Sequence, residues 1–379
     1  MIFYRSSTFY ISEVIMEDQS DGRTNLKSST GEYYIGLDHV RAAAAFIVFS
    51  WHFIQINGGA LAPPPVFPLS ILTEGHTGVS IFMALSGYLF ASLLDGKTVL
   101  YRKFIWNRFI RLFPLLLFVI IVAGLNHYLE GRDMIAYVTS VFAGIIKPSL
   151  PNGGWSITVE FHFYLILPLL LAMSVKSKYS LMLALLLVSG ARFLLYQQFG
   201  EVHSFSYWTI VGRFDQFILG ILAYSYREQV TGKHFKVVVG LLMFLGYFWY
   251  FDYFGGFHNS PSYPSPNPIW IFQPTAEGFA YAFLIAWYDR SFRQSSGVVS
   301  RFIALIGTCS YSIYLLHFFV VFWIAKTIDT YLIDLSNIYL AMLFSILGFL
   351  LILPFAYLSY RFIEEPFFRF RVQYILAAK

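Results

Sequence analysis

Apolar stretches of about twenty residues recur along the whole 379-residue chain, and each is long enough to cross a hydrocarbon layer of about 30 Å as a helix. In lipid every backbone N–H and C=O needs a partner within its own segment, so such spans fold as helices. A chain built this way is an all-α polytopic membrane helix bundle. Composition agrees: 57% of the residues are hydrophobic and only 12% charged, about half the charge of an ordinary soluble domain. The 41 Phe, 27 Tyr and 8 Trp suit helices with aromatic belts at both interfaces. No polar stretch is long enough to fold as a separate soluble domain. The single Cys309 lies in an apolar run, which excludes an intramolecular disulfide and a cysteine metal cluster; no bound metal and no permanently bound cofactor is expected.

Ten spans are expected, roughly Gly36–Ile56, Gly78–Leu94, Phe109–Leu125, Trp155–Met173, Tyr179–Phe199, Phe205–Tyr226, Phe235–Phe254, Ile269–Tyr288, Phe302–Ala325 and Ile338–Tyr360. The apolar piece Met134–Ile146 is left over. As a helix it reaches only about 20 Å, too short to cross, so it is read as one short re-entrant or interfacial segment. The first 35 residues hold no signal-peptide core with a cleavage site, which makes the first span an uncleaved anchor. Residues 1–35 are read as a polar cytoplasmic tail, 36–368 as the membrane domain and 369–379 as a second cytoplasmic tail.

Charge sets the orientation. With the N-terminus inside and Met134–Ile146 not crossing, twenty of the 26 Lys and Arg fall in inside segments. Only Arg132, Lys147 and Lys326 fall outside, and Arg41, Arg192 and Arg213 lie within spans. Letting the short piece cross would reverse every later loop, so the positive-inside rule favours ten crossings with both termini cytoplasmic, in the cell (inner) membrane. The net charge of +5 therefore reflects topology, and no nucleic acid is expected as a partner. The outer loops Asn57–Thr77 and Asp252–Pro268 carry no Lys or Arg and interleave aromatic residues with Pro, Asn and His. That suits either sugar stacking or plain connection.

Four places put polar groups where lipid disfavours them. In the first span Arg41 and His52 are eleven residues apart, close to three turns, so they share one helix face about 16 Å apart along the axis. Intramembrane groups of this kind point to function unless Arg41 only anchors a headgroup layer. Arg108 and Arg111, at i and i+3, share a face at the cytoplasmic mouth of the third span. A paired guanidinium fork suits phosphate or pyrophosphate; topogenic charge is the competing reading. Gly153-Gly154-Trp155-Ser156 opens the fourth span from outside, and Glu160 follows at a depth similar to His52. A carboxylate facing an imidazole would fix its tautomer and raise its basicity. His162 is the rival histidine on that helix. Last comes Ser310-Tyr311-Ser312-Ile313-Tyr314-Leu315-Leu316-His317, dense in hydroxyls, with Arg213 and Asp215 nearby in depth; helix–helix hydrogen bonding explains such groups equally well. A Gly-Lys-Ser/Thr phosphate loop, a Gly-x-Ser-x-Gly elbow and His-Glu-x-x-His are all missing, which argues against an ATPase, a soluble-type serine hydrolase and a zinc protease.

Together these segments resemble the membrane acyltransferase-3 family, bacterial enzymes that O-acylate surface and exported glycans. Arg41 and His52 match its Arg, ten residues, His signature. Gly78 to Phe90 is similar to its Gly-Val-Asp-Ile-Phe-Phe-Val-Leu-Ser-Gly-Phe-Leu segment, and Arg108 and Arg111 match its Arg-x-x-Arg motif. Trp155, Ser156, Glu160, Phe163 and Tyr164 fit its Trp-Ser-Leu-x-x-Glu-x-x-Phe-Tyr motif. Ser310 to His317 and Glu364-Glu365-Pro366 match its late motifs. Two departures stand out. Ser80 occupies the usual Asp position, and the chain ends soon after the tenth span, without the fused extracytoplasmic domain of some members.

The resemblance implies transfer of an acyl group, most often acetyl, from cytoplasmic acetyl-CoA or another acyl-CoA to a hydroxyl of a glycan or lipid-linked glycan. In that scheme His52 is the base, Glu160 orients it, and Arg41 stabilises the donor's thioester end or an oxyanion. Arg108 and Arg111 bind the donor, with Trp155, Ser156, Tyr164, Ser310, Tyr311 and His317 as further candidates. A separate extracytoplasmic transferase is a possible partner, beside the membrane lipid itself. The rival class is a transporter or flippase of a lipid-linked glycan, which needs the same intramembrane charges but no acyl-CoA.

Overall fold

The computed structural model describes residues 34–55, 64–257, 263–295 and 297–376. Most of the tail read over 1–35, parts of both aromatic outer loops and the last three residues lie outside the described residues. Within them, twelve helices have ten residues or more. In chain order they are α1 (Ile35–Ile54), α2 (Gly78–Leu94), α3 (Tyr101–Leu129), α4 (Met134–Ala143), α5 (Trp155–Lys176) and α6 (Lys178–Phe199). There follow α7 (Ile210–Ser225), α8 (His234–Tyr253), α9 (Gln273–Ser291), α10 (Val298–Thr308), α11 (Ser310–Tyr331) and α12 (Ile338–Ser359). Two two-residue strands, β1 (Thr98–Val99) and β2 (Ile375–Leu376), pair antiparallel with Thr98 opposite Leu376. The protein is an all-α polytopic membrane bundle.

Seven helical segments, those of α2, α3, α5, α6, α8, α11 and α12, are long and apolar enough to cross a membrane. The sequence reading expects about ten, and the difference has a physical origin. The other three expected spans fall on α1, α7 and α9, the second of them completed by a short helix, His203–Trp208. The helix α1 carries Asp38, His39 and Arg41; α7 has 16 residues and holds Arg213 and Asp215; α9 holds Glu277, Asp289 and Arg290. These polar helices are the inner ones. The pairs α2–α7, α7–α9 and α1–α10 carry the heaviest packing in the bundle, so their polar groups meet protein. The apolar segments of α6 and α8 are only 22% and 17% buried, and they present Leu186, Leu187, Leu194 and Met243 outward. Side chains of that kind are stable there only against lipid.

Between helices in lipid the hydrophobic drive is weak, so association rests on close approach and hydrogen bonds. Both operate here. A Cβ on Gly87 of α2 would lie 2.1 Å from the Phe217 carbonyl oxygen of α7, and one on Gly220 would lie 2.2 Å from that of Ala84; only glycines let these backbones meet. The buried Arg192 of α6 donates to Asp215 of α7 at 2.6 Å, and Thr275 of α9 donates to the same carboxylate. Arg192 and Asp215 are thus helix–helix ties.

Two expected spans are interrupted. Residues 205–226 divide at Thr209, whose extended backbone (φ −114°, ψ 154°) ends His203–Trp208 and whose hydroxyl caps α7 by accepting from the Gly212 N–H. Residues 302–325 divide at Cys309, between α10 and α11. The short α4 reaches about 15 Å, half of an apolar layer, and buries none of its residues.

Candidate functional site

Five helices, α2 through Ser86 among them, bring polar side chains to one cavity of about 90 Å³. From α1 comes Arg41; from α3, Arg108 and Arg111; from α5, Ser156, Glu160 and Tyr164; from α11, Ser310, Tyr311 and Tyr314. Phe90 and Met83 of α2 help close it. The volume suits a small group at the end of a longer ligand. Arg108 is buried, its guanidinium 5.3, 5.7 and 6.0 Å from the ring centres of Phe90, Phe104 and Tyr164. Aromatic faces favour a cation, yet no hydrogen-bond acceptor among the described residues takes its Nε–H. The Arg41 guanidinium donates to Asp38 one turn earlier. The Tyr164 hydroxyl donates to Glu160, and that of Tyr311 donates to the Leu112 carbonyl at 2.6 Å. With Arg41 paired to Asp38, Arg108 and Arg111 face the one lining carboxylate, Glu160, an excess of positive charge that makes the cavity a place for an anion.

Eight of the eleven candidate residues line this cavity. His52, His317 and Trp155 do not. His52 Nδ1 lies 2.9 Å from the Val48 carbonyl oxygen and 3.3 Å from His317 Nε2. His317 Nδ1 lies 2.6 Å from the Tyr314 carbonyl oxygen. A carbonyl only accepts, so both Nδ1 atoms carry the proton, an assignment made from these partners. The lone pair of neutral His52 is therefore on Nε2. This corrects the expected His52–Glu160 pair: a backbone carbonyl and a second histidine hold the ring, while Glu160 is engaged by Tyr164. The two residues share a depth, but α11 stands closer to α1 than α5 does. His162, the rival, faces outward and meets the Ile145 carbonyl at 2.9 Å.

Trp155 builds the wall next door. Its ring lies 5.0 Å from Tyr207 and 4.7 Å from Trp208, with the Arg213 guanidinium 5.6 Å from its centre. Arg213 also donates to the Ser80 hydroxyl at 2.9 Å, as does Gln216, and Ser80 donates to Glu277 of α9 at 2.6 Å. Where the resemblance leads one to expect an aspartate, a carboxylate is present, but it arrives from another helix. Beyond it, His76 lies 3.2 Å from Glu74 and 4.0 Å from Glu277. Burial, reinforced by the charge of Asp252, raises the proton affinity of Glu74 well above the usual carboxylate range. Glu74, His76 and Glu277 were not singled out from the sequence. An acid inside the apolar run 273–291 is the signal that exposes Glu277, by the same logic that picked Glu160. Among the described residues, no three His, Cys, Asp or Glu side chains are placed to hold a metal together.

The fold and cavity define an integral membrane protein with a buried seat for an anionic group. The family model described as an acyltransferase domain matches residues 34–361, and the chain belongs to that family, the membrane acyltransferase-3 family. Among its relatives is a Staphylococcus aureus (strain COL) protein named "Putative O-acetyltransferase SACOL0978", 26% identical over 392 residues that cover 88% of this chain and 57% of the relative. Another is the Bacillus subtilis (strain 168) protein named "Putative peptidoglycan O-acetyltransferase YrhL", 27% identical over 226 residues, 51% of this chain and 33% of the relative. The chain spans little more than half the length of the first and a third of the second. No solved structure matches.

Proposed function

We propose that this protein is an O-acyltransferase, with acetyl the acyl group favoured, that moves the group from cytoplasmic acyl-CoA to a hydroxyl of a cell-surface or exported glycan. The observation that carries the reading is the cavity in which Arg41, Arg108, Arg111 and Glu160 converge beside the His52–His317 pair. Family membership and the O-acetyltransferase names of the relatives support it. Ten crossings of the inner membrane with both termini cytoplasmic put the mouth of α3 on the donor's side.

In this scheme Arg108 and Arg111 hold the donor's phosphates at the cavity through charge-assisted hydrogen bonds, and the acyl end extends beyond it to His52. His52 Nε2 removes the proton of the acceptor hydroxyl. The hydroxyl oxygen bonds to the thioester carbonyl carbon, the C–S bond breaks, and the CoA sulfur leaves with the proton that His52 took up. About 16 Å of helix separates Arg41 from His52. That distance favours Arg41 as a further ligand of the donor's phosphates over a role at an oxyanion formed beside the histidine. His317, through His52 Nδ1, positions the ring. The acceptor is read as a glycan or lipid-linked glycan, with a separate extracytoplasmic transferase as a further partner.

Inside-out membrane vesicles given acetyl-labelled acetyl-CoA test the donor. The label is expected in the envelope glycan fraction with the wild type and to be lost with Arg111→Ala. Glycan that reaches the outer face without label in both cases would replace the enzyme with a flippase.

A further inference from the structure

Beyond Glu365 the chain forms a strap across the first turns of α3. The Trp106 indole N–H donates to the Phe370 carbonyl at 3.1 Å. Asn107 grips Val372 from both sides, donating to its carbonyl at 2.7 Å and accepting from its N–H at 2.9 Å. The Leu100 N–H donates to the Tyr374 carbonyl at 2.8 Å, and β2 then pairs with β1. These clamps fix Arg371, between residues 370 and 372, beside the Arg-x-x-Arg pair of α3. The charges of Arg111 and Arg108 both act on it.

Four buried donor atoms meet here with nothing to bond. The Nε and Nη2 of Arg371, the Nε of Arg108 and the hydroxyl of Tyr374 are closed to solvent and have no hydrogen-bond partner among the described residues. Arg108 and Tyr374 share the Phe104 ring, 5.7 and 5.6 Å from its centre, and the Asn107–Val372 clamp holds Arg371 next to them. Arg371 lies flat on Phe368, 3.5 Å from that ring's centre. The nearby carboxylate is Glu364, whose charge reaches Arg111 and Arg371 but which accepts from Ser312. An unsatisfied buried donor costs about 1–3 kcal/mol, and more when charged. Gathering several of them around three like charges is unfavourable unless an anion with several acceptor oxygens occupies the space. Burial and the two neighbouring guanidiniums push Arg371 down to about 9, which still leaves it charged at neutral pH.

The geometry points to Arg371 as the third guanidinium, and Tyr374 as a hydroxyl donor, of a phosphate-ester seat that the strap completes around Arg108 and Arg111. The ligand class is an organic phosphate or diphosphate, here the phosphates of a CoA-type donor; an anionic lipid headgroup presents the same chemistry. The inference rests on the reading that the donor binds at Arg108 and Arg111, and it makes the strap part of donor recognition.

The test is CoA binding to the full-length purified protein by calorimetry, for the wild type, Arg108→Ala, Arg371→Gln, Arg371→Lys, Tyr374→Phe and the exposed neighbour Arg369→Gln. Arg371→Gln is expected to raise the Kd by about tenfold or more, the loss of a charge-assisted hydrogen bond. Arg371→Lys should recover part of the loss, and Arg369→Gln should have no effect. Tyr374→Phe guards against a variant that fails to fold. If the hydroxyl were only structural, removing this unpaired donor would leave the Kd unchanged; the seat predicts weaker CoA binding with thermal stability retained. Should Arg108→Ala weaken CoA while Arg371→Gln and Tyr374→Phe both match the wild type, the strap's role is overturned and the donor reading stands. A wild type that binds no CoA ends the donor reading and this inference with it. Native mass spectrometry with added phosphatidylglycerol separates the sources. Loss of bound phosphatidylglycerol from Arg371→Gln, with CoA affinity intact, would overturn the assignment to the donor.

Discussion

Arg41 and His52 were legible in the sequence because a charged or imidazole group inside an apolar run is conspicuous, and Arg108 and Arg111 because an i, i+3 pair shares a face. Partnership was less legible. Axial depth can be counted along a helix, but which helix stands opposite depends on packing, and so Glu160 was matched to the wrong residue. Its partner Tyr164 lies one turn away on its own helix, as the family motif already places it. The prediction changes accordingly. His52→Ala should lower transfer by about two to four orders of magnitude, the usual worth of a general base, and His317→Ala should lower kcat by acting through His52. Glu160→Gln should act mainly on KM for the donor, since the carboxylate sits among the donor-side arginines. Initial rates at varied acyl-CoA concentration separate the two. A kcat effect from Glu160→Gln with unchanged KM would return Glu160 to the histidine.

Among elements, strong apolar runs were read to within a few residues. The expected span Gly78–Leu94 has the same bounds as α2, and Gly36–Ile56 is α1 to within two residues at either end. The breaks at Thr209 and Cys309 were not read, because hydropathy continues across a local change of φ and ψ. Glycine contacts were equally silent, since Gly87 and Gly220 look alike to glycines such as Gly190 and Gly240, whose added Cβ would meet open space. That contrast is testable. Gly87→Leu forces α2 from α7, an overpacking worth about 1–3 kcal/mol or more, and should reduce the monodisperse protein recovered in detergent. Gly240→Leu should behave as the wild type. Equal recovery of the two variants would mean that the α2–α7 contact does not hold the bundle.

At the scale of the molecule, apolarity alone finds seven spans among the described residues, whereas the distribution of Lys and Arg favours ten. The difference lies in the polar helices α1, α7 and α9, because helices enclosed by others can carry charge that a lipid-facing helix cannot. Reporter domains fused after Lys178 and after Phe257 should read cytoplasmic and external respectively; an external signal at Lys178 would remove the ten-span arrangement. The proposed function depends on that arrangement, in which Arg108 and Arg111 would face cytoplasmic acyl-CoA and His52 the acceptor.

The central claim is that this protein acylates a glycan from the far side of the membrane. Its most direct test is mass spectrometry of the surface polysaccharides of cells that carry the wild-type protein, His52→Ala or no copy at all, with equal membrane levels of the two proteins. The account predicts acetyl-bearing sugar units in the wild type alone, on a polysaccharide otherwise present in equal amount in all three. Unaltered acetylation without the protein, or loss of the polysaccharide itself in place of its acetyl groups, would contradict it.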